Sequence, residues 1–142
     1  MTVDFHSRHL GPRQRRGLLK LGDVWCPGDG EFPSFSDLGC AEHVDAVLDE
    51  MHPADFAQLK LLLAAMAALP ARAIARIIEL SERGDELSPT NPVGGQLRFV
   101  RLGVRGLVLG LYWSGRTGEH HDGKSPLELI GYQVGVYTGD LE

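Results

Sequence analysis

Cysteine is almost absent from this sequence, with Cys26 and Cys40 the two among 142 residues. Two thiols do not make the disulfide framework of a small secreted domain, although they leave room for one bridge in an exported chain. Long apolar runs are lacking as well. The longest, Leu61-Leu62-Leu63-Ala64-Ala65-Met66-Ala67-Ala68-Leu69, has nine residues, too few to cross a bilayer as a helix. Positive charge is also in deficit: 14 lysines and arginines stand against 19 acids, a formal net charge of −5. That sum disfavours a broad basic face for nucleic acid and leaves a local patch at Arg13, Arg15, Arg16 and Lys20. Polar and charged residues fill the first twenty positions, which is not how a secretory signal reads. Arg15-Arg16-Gly17-Leu18-Leu19-Lys20 looks like a twin-arginine export motif, but such a motif must be followed by an apolar stretch. Here Gly22-Asp23-Val24-Trp25-Cys26-Pro27-Gly28-Asp29-Gly30 follows instead. The arginines are read as a basic turn of a helix.

What is present is an ordinary globular composition, 43% hydrophobic and 23% charged. The chain is the size of one domain and can bury roughly two thirds of its extended surface. It is too short for a nicotinamide fold with a second domain or for a flavoenzyme catalytic chain. The pattern predicts an all-α fold, a bundle of about five helices with a long N-terminal loop and an irregular C-terminal tail. Residues 1–10 read as a flexible arm and 11–142 as the single helical domain.

Pro12 suits a first helical position, and Leu18, Leu19, Leu21, Val24 and Trp25 recur at helical spacing. Cys26-Pro27-Gly28 should end that helix. Gly28-Asp29-Gly30-Glu31-Phe32-Pro33-Ser34-Phe35-Ser36-Asp37 carries no period and reads as a loop with two aromatic anchors, long enough to point to binding. A second helix is expected over about 40–51, with Val44, Val47, Leu48 and Met51 on one face. Pro53 then fits position N1 of a third helix. That helix holds Phe56, Leu59, Leu62, Leu63 and Met66, is apolar over most of its girth, and is expected to be the buried centre. Pro70 restarts the pattern for Ile74, Ile77, Ile78 and Leu80, and Gly84 is a good stop. Residues 85–95 read as loop. A last long helix over about 95–112 carries Leu97, Val100, Leu102, Val104, Leu107, Val108 and Leu111. Gly103, Gly106 and Gly110 inside it make sense if another backbone approaches closely. Alternating leucine, valine and glycine keep a two-strand reading of 97–111 as the rival. Residues 114–125 are polar and glycine-rich, 126–131 form a short helical turn, and the apolar tail to 139 needs a surface to lie on.

Reactive constellations are scarce. There is no Gly-x-Ser-x-Gly elbow, phosphate loop or dinucleotide fingerprint. Cys40-x2-His43 has metal-like spacing, but a structural zinc needs four ligands, and His120, His121 and Asp122 sit in a glycine-rich loop. A buried Cys40 with His43 on its rim is the preferred reading. Asp29, Glu31 and Asp37 lack the alternation of a calcium loop and read as solvated carboxylates. Cys26 lies at a helix end, where the helix field raises a thiol pKa. No catalytic residue, cofactor ligand or metal ligand is therefore assigned. The aromatics are more informative. Trp25, Phe32 and Phe35 cluster in or beside the first loop, Tyr112 and Trp113 end the long helix, and Tyr132 and Tyr137 lie in the tail. Such side chains bury large areas at interfaces or cap a small core.

The same residues carry a family resemblance. The run Asp23 to Gly39, with Pro27, Pro33, Ser34 and Gly39, resembles the opening signature of the gluconate 2-dehydrogenase subunit 3 family. Tyr112-Trp113 and Ile130-Gly131-Tyr132 resemble its ending. The likeness spans about residues 12–137, and its middle matches only as helices of similar length. It implies a non-catalytic small subunit beside a large FAD-binding flavoprotein of the glucose-methanol-choline oxidoreductase type. That partner would oxidise a sugar, glycoside or other alcohol hydroxyl. FAD would belong to the partner, and the interface would fall on Trp25, Phe32, Pro33, Phe35, Tyr112, Trp113, Ile130, Tyr132 and Tyr137. Exported members of the family commonly have a twin-arginine signal and a cytochrome partner. This sequence has neither the apolar export segment nor a Cys-x-x-Cys-His haem site, so a cytoplasmic pair without membrane or nucleic acid is the expectation. Two rivals remain: a free-standing helical module for a small apolar ligand, and a nucleic-acid-associated helical protein resting on the Arg13–Lys20 patch.

Overall fold

Proline marks three of the helix starts, because its fixed φ suits the first turn and its missing N–H is not needed there. In the computed structural model, which describes residues 4–82, 95 and 99–132, α1 spans Pro12–Trp25. The Gly11 N–H donates to Gln14 Oε1 at 2.9 Å, closing the first turn. The Cys26 N–H donates to the Gly22 carbonyl at 2.7 Å and closes the last. Then come α2 (Phe35–Leu38), a 3₁₀ turn (Cys40–His43) and α3 (Val44–Leu48). α4 (Pro53–Ala68) follows, with Pro53 at N1 and His52 Nδ1 accepting the Ala54 N–H at 3.2 Å. α5 is Ala71–Glu82. A π-helical segment, Phe99–Val104, leads directly into α6 (Arg105–Tyr112). α7 (Pro126–Leu129) closes the described chain, its Ser125 hydroxyl accepting the Glu128 N–H. Among the described residues the fold is all-α: the sole β-type pairing is an isolated bridge between Asp29 and Phe32.

The core gathers Leu18, Leu21, Phe35, Leu38, Val44, Leu59, Leu63, Ile74, Val104 and Val108. Its hub is α1, which packs against α2, α4, α5 and α6. This corrects the expectation that the third predicted helix is central. α4 buries only Leu59, Leu63 and Met66, and Leu61 on its opposite side is 75% exposed. Its apolar girth misled because one face meets α1 and the other meets water. The α1–α4 crossing is close at Gly17, where a Cβ would stand 1.9 Å from the Leu63 carbonyl oxygen. The carbonyl end of α4 is then satisfied by α1 side chains. Arg13 Nε donates to the Ala64 carbonyl at 3.1 Å, and Lys20 Nζ donates to the carbonyls of Ala67 and Leu69. Cations are at home beside those unpaired carbonyls.

The stretch read as a loose arm is fastened from residue 4 onward. Phe5 and Leu10 are buried in the core. Arg15 grips Asp4 with two bonds of 2.9 Å and the Leu10 carbonyl with a third. Ser7 Oγ donates to Asp45 at 2.5 Å, the Arg8 N–H to the same carboxylate at 2.8 Å, and Arg8 and His9 both meet Asp49. The arm was misjudged because its two apolar residues show no period.

The second predicted helix is shorter and mixed. A 3₁₀ turn precedes α3, α3 ends at Leu48, and Val47 faces outward while Val44 and Leu48 are buried. Over its described part the last long helix is helical and not a strand pair. Gly106 and Gly110 have nothing within 4 Å of an added Cβ. Among the described residues no backbone approaches them, contrary to expectation. The predicted loop over 85–94, Gly84, Leu97, and the tail from residue 133 with Tyr137 lie outside the described residues.

Candidate functional site

The site grows from the end of α1. Pro27 cannot continue the helix, and Gly28 and Gly30 take φ of +83° and +56°, values that favour glycine. Between them Asp29 starts a tight turn: its N–H donates to the Phe32 carbonyl at 3.1 Å, and the Phe32 N–H returns to Asp29 at 2.9 Å. The turn presents the Phe32 ring to Trp113, with centroids 6.3 Å apart and planes at 60°. Tyr112 meets Trp113 edge to face at 5.4 Å. Its hydroxyl donates to the Pro33 carbonyl at 2.7 Å, tying the end of α6 to the loop. Asp23 on α1 fixes the far side of that loop, accepting the Ser36 N–H at 2.8 Å and the Ser36 hydroxyl at 2.6 Å.

Together Trp25, Phe32, Tyr112, Trp113 and Leu109 line a mostly apolar open cavity of about 310 Å³, with Cys26 and Asp29 at its wall. Trp113 is 38% exposed above it. Immediately after Trp113 the chain walls a second depression with Ser114, Arg116, Leu127 and Tyr132. Tyr132 is 59% exposed there, and Ile130, outside that depression, is 58% exposed. Trp25, Phe32, Tyr112 and Trp113 are thus brought together, Pro33 contributes its carbonyl, and Ile130 and Tyr132 lie on the turn after α7, Tyr132 at the second depression. Phe35 departs from the expectation of an interface residue. The Ser34 hydroxyl caps α2 by accepting the Asp37 N–H at 3.1 Å, which turns Phe35 into the core, fully buried against Gly22. Leu109 was missed by the search for aromatics, yet its spacing of three and four residues before Tyr112 and Trp113 puts it on their face of the helix.

The two cysteines are free and buried. Burial, with the charge of Asp23 nearby, pushes the Cys26 thiol up to about 11. Burial pushes Cys40 up to about 12. Both are neutral thiols at pH 7, poor nucleophiles and poor ligands. His43 does not join Cys40, because its Nε2 pairs with the Thr117 carbonyl at 2.9 Å. Among the described residues no three His, Cys, Asp or Glu side chains are grouped to hold a metal ion. Three of the four cations of the basic patch are engaged within the fold, since Arg13, Arg15 and Lys20 bond to Ala64, to Asp4 and Leu10, and to Ala67 and Leu69, and Arg16 stays exposed. The cavity therefore offers apolar area, one carboxylate and a protonated thiol. No described helix is long and apolar enough to cross a membrane. Comparison with protein-family models, with curated proteins and with solved structures finds no match to this chain.

Proposed function

We propose that this protein is a non-catalytic small subunit that assembles with a large FAD-dependent oxidoreductase of the glucose-methanol-choline type, acting on sugar, glycoside or other alcohol hydroxyls in the cytoplasm. One observation carries the reading: Trp113, Ile130 and Tyr132 are all exposed, and Trp113 follows directly on Tyr112, whose hydroxyl is tied to the Pro33 carbonyl. Large apolar side chains held rigidly at a surface mark a protein interface. They fall in the segments whose residues resemble the small-subunit family. FAD and the reacting hydroxyl belong to the partner, and this chain supplies area and shape. The test is affinity purification of the tagged chain from its native cell with an absorbance spectrum. A stoichiometric, much larger partner with a flavin spectrum is expected. A lone, colourless, soluble monomer of 15.5 kDa overturns the proposal. The cavity beneath Trp113 favours a second reading, a free-standing module for a small apolar ligand, and that monomer would make it the leading one.

A further inference from the structure

The cavity beneath Trp113 has apolar walls and an acidic rim. Asp29 lines it, and among the described residues no cation does so and none pairs with the Asp29 side chain. The same loop continues into a neighbouring depression that carries Asp29, Glu31 and Asp37 against Lys124, and all three carboxylates are exposed. This arrangement decides between kinds of occupant. An apolar side chain from a partner would fill the cavity, but it would leave the Asp29 carboxylate at the wall without a counter-ion while the partner's surface shields it from part of its water. A strongly hydrated ammonium gains less from the rings than a guanidinium. The guanidinium is planar, weakly hydrated, and able to stack on an aromatic face while donating to a carboxylate. Trp113 stands at steep angles to both Phe32 and Tyr112, 60° and 81°, so the rings wall the space from different sides.

We infer that this cavity receives the guanidinium of an arginine on the partner subunit, stacked among Trp25, Phe32 and Trp113 with Asp29 as its counter-ion. The inference rests on the accessory-subunit reading and adds the chemistry of the contact. The surrounding loop acids then face a basic segment of the partner, which makes association sensitive to salt.

The test uses the full chain, tagged and expressed in its native cell, with Asp29→Lys, Asp29→Asn and Asp29→Glu beside the unaltered protein. Asp29 holds the turn through its backbone only, so all three variants keep the helical circular dichroism of the parent. Recovery of the flavoprotein is expected to fall by about tenfold or more in Asp29→Lys. In Asp29→Asn it falls several-fold while the salt dependence contributed by Glu31 and Asp37 remains, and in Asp29→Glu it is largely kept. Recovery in Asp29→Lys within about twofold of the parent overturns the inference while leaving the subunit reading intact. If the unaltered chain brings no flavoprotein, that reading fails by itself. The cavity is then tested on the soluble chain by tryptophan fluorescence with ethylguanidinium chloride against its neutral analogue n-propylurea. Preferential binding of the cation, lost in Asp29→Asn, upholds the arginine site, and equal or absent binding of the two probes overturns it.

Discussion

At Gly17 a single hydrogen atom stands where any other residue would place carbon, and α1 and α4 could not cross there otherwise. The obstacle is the Leu63 backbone, which cannot swing aside as a side chain can. Gly17→Ala is expected to destabilise the fold by about 1–3 kcal/mol, read as a lower midpoint in thermal denaturation; an unchanged midpoint would show that the crossing is looser than described. The thiols give a second residue-scale prediction. Cys26 and Cys40 are held neutral, with pKa values pushed to about 11 and about 12 from an ordinary 9.0. A raised acid pKa gives stability that is whole below the ordinary value and is lost as pH rises through the folded ones. The denaturation midpoint should therefore decline from about pH 9 upward, and a Cys26→Ser, Cys40→Ser protein should decline less steeply. Equal slopes would count against the burial of both thiols. At this scale the sequence was legible where residue type alone speaks, as in singling out Trp25, Phe32, Tyr112 and Trp113 as aromatics to watch, though not in bringing the two segments together. It was not legible for Phe35, because Phe32 and Phe35 share one aperiodic loop. Only the cap at Ser34 decides which ring turns inward.

The helices were legible at their starts, where Pro12, Pro53 and Pro126 occupy first positions, and less so in their depth. Hydrophobic spacing tells which face of a helix is apolar, not whether water or protein lies beyond it. For that reason α4 read as the centre and the α1 hub did not. The segment from Asp4 to Leu10 was illegible for a different reason: its anchors are ion pairs to acids far along the chain, and such pairing leaves no local pattern. Those anchors make a prediction. Hydrogen bonds with Arg15 hold Asp4 below its usual range. Asp49 is lowered by its bond to His9 and by Arg8. Asp45 is lowered too, although its partial burial opposes this, because Ser7 and the Arg8 N–H donate to it. A depressed carboxylate pKa contributes stability that is present above the ordinary value of 3.8 and is lost as pH falls through the folded value. The segment should thus loosen below about pH 4 before the helices melt, seen as early hydrogen exchange over residues 5–10. Asp45→Ala should release it at neutral pH, weakening the fold by about 1–3 kcal/mol and opening Arg8 to trypsin; equal protection in the variant would place the hold elsewhere.

Among the described residues, the helical frame bonds Arg8, Arg13, Arg15 and Lys20 within itself and leaves the acids of the first loop and the Trp113 and Tyr132 rings exposed. Trp113→Ala and Tyr132→Ala should each weaken assembly with the proposed flavoprotein partner by about tenfold or more, the range of an interface hot spot, without unfolding the chain. Co-purification at parental levels from both variants would remove this surface from the interface. The all-α class was legible from helical spacing and from the want of alternating strands. The surface as a unit was not, because it is assembled from segments far apart in the chain.

That distance has a consequence for timing. Trp25 and Phe32 leave the ribosome early, whereas Tyr112 and Trp113 arrive late, and the bond from Tyr112 to Pro33 closes over 79 residues. Contacts of such separation form only after the intervening chain has been made and ordered. A nascent or truncated chain can build α1 and the first loop, yet it has no finished pocket to show. A partner that gripped this pocket, as proposed, would select completed copies over fragments, and so would inspect the chain at the moment of joining it.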